Sequence, residues 1–126
     1  MTQNTDYSSS DPIIVLTTFP ASDSATSSDS SDTASSIIHK LLEAKLIACA
    51  NIIPHIRSIY NWNDKIEDSS EQLVIIKTTQ ELIPELKKAL LAHHPYDTPE
   101  FIAINPSDIS EDYHTWLLGS VKKESL

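Results

Sequence analysis

Between Leu46 and Thr78 two long strand-forming stretches run up to a single turn signal, Asn63-Asp64. Both turn residues tolerate φ > 0, so they suit a two-residue hairpin joining Leu46–Trp62 to Lys65–Thr78. Pro54 lacks a backbone N–H and marks a break or bulge in the first of these strands. With an unbroken register Tyr60 faces Glu67 and Ile53 faces Val74; a bulge would shift that pairing. The tip, 56–66, carries Ile56, Ile59, Tyr60, Trp62 and Ile66 on both faces. A two-stranded ribbon is marginal alone in water, and its edges invite pairing, so the tip reads as an arm that docks on another subunit.

The flanks narrow the fold further. Ile13-Ile14-Val15-Leu16 is a continuous apolar run ended by Phe19-Pro20, and reads as a buried strand. Ala34, Ile37, Ile38, Leu41 and Leu42 repeat with helical spacing behind a cap at Ser31 or Asp32. Thr78-x-x-Glu81 matches a capping box, but Pro84 would then fall inside the helix. The spacing therefore predicts either a 3₁₀ first turn or a start nearer Ile83. Leu82, Leu86, Leu90 and His93 share a face of this helix, which ends near His94 because Pro95 follows. Phe101–Ile104 is a fourth strand, and Ser110 opens a last helix with Tyr113, Trp116, Leu117 and Val121. The order β-α-β-β-α-β plus a C-terminal helix is the ferredoxin-like α+β pattern, an antiparallel sheet with two helices on one face. Residues 1–11 read as a disordered tail and 12–126 as one domain. The almost wholly Ser/Asp/Thr/Ala stretch 21–30 reads as a solvated loop.

Composition excludes several functions. A net charge of −9 opposes binding to phosphate backbones, and no basic block would hold an anionic membrane. The single glycine, Gly119, rules out glycine-rich nucleotide loops and the G-x-S-x-G elbow, and no organic cofactor is expected. One cysteine permits no internal disulfide and fits a reducing compartment. No stretch is long and apolar enough to cross a membrane as a helix, and a cytoplasmic location is the default. No nucleophile–base pair or paired carboxylates stand at a recognisable spacing, so catalysis is not expected.

Candidate ligands remain. His93-His94 reads either as a metal pair, which converges only if Pro95 turns His94 out of the helix, or as imidazolium at a helix C-terminus. Cys49, between Ala48 and Ala50, reads as a small buried hydrophobe or as a soft donor to Cu(I).

These residues also resemble the CutA family of divalent-cation-tolerance proteins. The motifs are Leu16-Thr17-Thr18-x-Pro20, Leu41-Leu42-x-x-x-Leu46-x-Ala48-Cys49-x-Asn51-Ile52, Ser58-x-Tyr60-x-Trp62, Lys77-Thr78-Thr79, His94-Pro95-Tyr96-x-x-Pro99-Glu100 and Tyr113-x-x-Trp116-Leu117. The resemblance implies a homotrimer of ferredoxin-like subunits with hairpins paired across subunits, an architecture shared with PII signalling proteins. It implies divalent-metal binding, copper above all, through His93 and His94. Thr17 stands where the copper-binding branch has a cysteine, so binding is expected to be weak. Stretch 21–30 becomes an insertion relative to the family. Tyr60, Trp62, Lys77, Tyr96 and Glu100 are implied to lie near inter-subunit clefts that would take a small anion. Read as structure alone, the rings are interface anchors and Lys77–Glu100 is an ion pair. The two functional readings are a trimeric metal-tolerance protein and a PII-like small-molecule sensor, with a further protein partner left open.

Overall fold

The computed structural model describes residues 10–21 and 33–123. The expected tail over 1–9, the body of the Ser/Asp-rich stretch and the cap at Ser31 or Asp32 lie outside these residues.

Strands β1 (Pro12–Pro20), β2 (Cys49–Trp62), β3 (Lys65–Thr79) and β4 (Ile102–Ile104) form one antiparallel sheet in the order β2-β3-β1-β4. Helices α1 (Thr33–Glu43), α2 (Ile83–His93) and α3 (Glu111–Ser120) complete the ferredoxin-like order. The alternation of β1 explains the main layer. Ile13, Val15, Thr17 and Phe19 are buried, while Ile14, Leu16 and Thr18 on the other face are only half-buried. The buried set joins Val74 and Ile76 of β3 with Ile37, Ile38 and Leu41 of α1 and Leu86 and Leu90 of α2 in one core. Each such side chain contributes roughly 1.5–3 kcal/mol on burial.

Helix α1 ends in a Schellman turn. Leu46 N–H donates to Leu41 O and Lys45 N–H to Leu42 O, both at 3.0 Å, with Lys45 at φ 58. Glycine usually fills that left-handed position; here lysine does, and Leu41 and Leu46, the two ends of the first of these bonds, are both buried in the core. After the turn the chain closes on β3, with Ala48 N–H donating to Lys77 O at 2.8 Å and Thr78 Oγ1 donating to Leu46 O at 2.7 Å, and regular strand β2 begins at Cys49 rather than Leu46.

The hairpin turn is the expected one. Asn63 (φ 52) and Asp64 (φ 63) are both left-handed, and Trp62 pairs with Lys65. Tyr60 stands opposite Glu67, but Ile53 stands opposite Leu73 rather than Val74. The cause is a bulge between Ile53 and Ile56, where Pro54 offers no donor to the ladder. The capping box at Thr78 is not made: Thr79 precedes a 3₁₀ turn, Gln80–Leu82, with no side-chain cap bond, and α2 starts at Ile83 with Pro84 in its first turn. Leu82, Leu86 and Leu90 are buried as the spacing requires, whereas His93 is exposed. The i+3 step to the last residue of α2 carries its side chain past the core-facing stripe.

The face of the sheet turned away from the helices is also apolar. Register places Ile104 beside Ile14, Ile102 beside Leu16, Ile75 beside Leu16 and Ile53 beside Leu73. Ile53, Ile102 and Ile104 are 41%, 49% and 42% exposed.

Candidate functional site: an acidic, aromatic cleft beside the helix α2 terminus

Pro95 forbids helical geometry to the residue before it, and His94 adopts φ −73 and ψ 140. The chain leaves α2 at that point and passes to the sheet face away from the helices. There 95–100 faces the outer half of the hairpin across a cleft of about 850 Å³. One wall is Pro95, Tyr96, Asp97, Thr98 and Glu100; the other is Ser58, Ile59, Tyr60, Trp62, Glu67 and Glu71, with Thr18 at the floor.

A chain of polar contacts ties the walls together. His94 Nε2 lies 2.8 Å from Thr18 O, and the Tyr96 backbone N–H donates to His94 Nδ1 at 3.1 Å. Since Nδ1 accepts, the ring is neutral and Nε2–H is the donor to Thr18. The imidazole also stacks on Phe19, with ring centroids 4.3 Å apart, and tilts against Tyr96 at 5.0 Å. Burial pulls its pKa below 6.5, against the opposing effects of the Thr18 carbonyl and the Glu71 charge. Tyr96 Oη donates to Glu71 Oε2 at 2.6 Å. Burial, then the bond to Glu71 and its charge, push the phenol well above its ordinary value, so it remains a donor.

Of the residues singled out from the sequence, Tyr60, Trp62, Tyr96 and Glu100 line this cleft. Lys77 does not. It pairs across the sheet with Cys49 and Ile14 and donates to Asn51 Oδ1 rather than to Glu100. Thr18 lies four residues along β1 from Ile14, on the order of 13 Å at strand spacing, so Cys49 and Lys77 sit at the far end of the sheet from His94. Cys49 is half-buried with Sγ 3.9 Å from Tyr113 Oη, whose pKa is raised by burial and by that contact. His93 is exposed, while both ring nitrogens of His94 are engaged. Thr17 Oγ1 is buried without a hydrogen-bond partner among the described residues. Among the described residues no three His, Cys, Asp or Glu side chains converge to hold one metal ion. The donors among the described residues of one chain therefore do not fit a tight, multidentate copper centre.

Sequence reasoning missed Glu67, Glu71 and Asp97. Their signal was present: Glu67 was already placed opposite Tyr60, and the same face carries Glu71 two pleats further on.

The geometry defines a class: a small ferredoxin-like α+β protein with a long hairpin and an acid-lined cleft beside it. A family model described as CutA1 divalent ion tolerance protein matches residues 13–120, and the chain belongs to that family. It is 42% identical over 111 residues to the divalent-cation tolerance protein CutA of Pyrococcus horikoshii, covering 88% of this chain and 99% of that one. The chloroplastic CutA protein of Arabidopsis thaliana is 41% identical over 86 residues, covering 68% of this chain and 47% of that longer one. The crystal structure of CutA1 from Oryza sativa superposes with a TM-score of 0.79 at 32% identity, covering 90% of this chain and 95% of that one.

Proposed function

We propose that the protein is a non-catalytic homotrimer that binds a divalent cation weakly, copper or a similar ion, and serves metal tolerance. Membership of a divalent-cation tolerance family supports the link to metal. The observation that carries the binding reading is the step from His93 to His94 at the end of α2. Pro95 separates the two imidazoles, leaving His93 open to solvent as a nitrogen donor. His94 can join only by releasing Thr18 or Tyr96, so few donors act at once and affinity stays low. Cys49 could add a thiolate only from another chain, given its distance along the sheet. The uncovered face of Ile53, Ile102 and Ile104 supports assembly, since apolar patches of that kind mark contacts between subunits. A cytoplasmic setting fits the single free cysteine.

Calorimetric titration with Cu(II) tests the site. Replacing His93→Ala and His94→Ala together should abolish the heat, and Thr17→Cys should strengthen Cu(I) binding by supplying a soft donor. Equal affinity in the wild type and the double alanine variant would remove the pair as the site.

A second reading, a small-molecule sensor of the PII kind, is favoured by the cleft itself. Its volume of about 850 Å³ is far more than a bare ion needs, and it lies in the size range of small-molecule sites.

A further inference from the structure

We draw no further inference here: the strongest candidate, the acid- and ring-lined cleft between 95–100 and the outer half of the hairpin, lies on the surface assigned to assembly between copies of the chain, and nothing among the described residues shows which groups of a second copy cover it.

Discussion

Tyr96 joins the two walls of the cleft through one hydroxyl. Glu71 is 7% exposed, and the phenol is its hydrogen-bond donor at 2.6 Å. Tyr96→Phe keeps the ring and removes the donor, leaving a carboxylate with little water to replace it. The expected cost is about 1–3 kcal/mol, read as a lower denaturation midpoint. An unchanged midpoint would mean that solvent satisfies Glu71. His94 sets a pH dependence. Its folded pKa lies below the unfolded value of 6.5, so the unfolded chain binds the extra proton first. The contribution is fully present above 6.5 and is lost as pH falls toward the folded pKa, where protonation of Nδ1 would also evict the Tyr96 N–H. Urea unfolding of the wild type should weaken between pH 7.5 and 5.5, and His94→Gln should flatten that slope. At this scale the sequence said a good deal about His94, because the rule for a residue before proline is local. It said nothing of the Thr18 carbonyl that holds the ring, which lies 76 positions away in the chain.

Among the elements, the hairpin is governed by its two ends. The left-handed pair Asn63 and Asp64 turns the chain, and the bulge after Ile53 bends the ribbon at its base. Asp64→Gly should stabilise the turn by about 0.5 kcal/mol, the balance between relief of a left-handed strain of ~1 kcal/mol and glycine's greater unfolded freedom. Thermal unfolding would register it as a modest rise in midpoint, and a fall would mean that the Asp64 side chain makes a contact of its own. Strand identity, turn type and both helical stripes were readable from periodicity, which depends on near neighbours. The register of Ile53 was not, because a bulge is decided by which partner residue is left opposite, and that is a property of two strands. The failed capping box at Thr78 has a similar origin: Pro84 dictates the first turn of α2, and Thr79 is drawn into the sheet as the partner of Pro12.

For the whole molecule the decisive surface is the sheet face without helices. The apolar run of β1 reads as a buried strand, and in one chain its second face, Ile14 and Leu16, is only half-buried. The sequence reading assigned assembly to the hairpin tip; the fold adds Ile53, Ile102 and Ile104 beside half-buried Ile14, Leu16, Leu73 and Ile75. Sedimentation should give a single species near three times the 14.0 kDa chain mass. Ile75→Glu should shift it toward monomer, because a charge would replace the centre of that face. Trp62→Ala should weaken assembly by about 2 kcal/mol or more if its ring anchors the arm. A stable wild-type monomer at micromolar concentration would sink the trimer.

The position of β1 in the sheet has a consequence for how the protein is made. This strand leaves the ribosome first, yet its partners are β3, ending at Thr79, and β4, ending at Ile104. The β2–β3 hairpin closes through a two-residue turn and can form within microseconds of its own synthesis. Ile13–Leu16 must wait, unpaired and sticky, until that hairpin exists to receive it. Pairing of β1 with the preformed hairpin should therefore limit the rate of refolding. A circularly permuted chain that begins at β2 and delivers β1 last should reach the native state faster and aggregate less on the way.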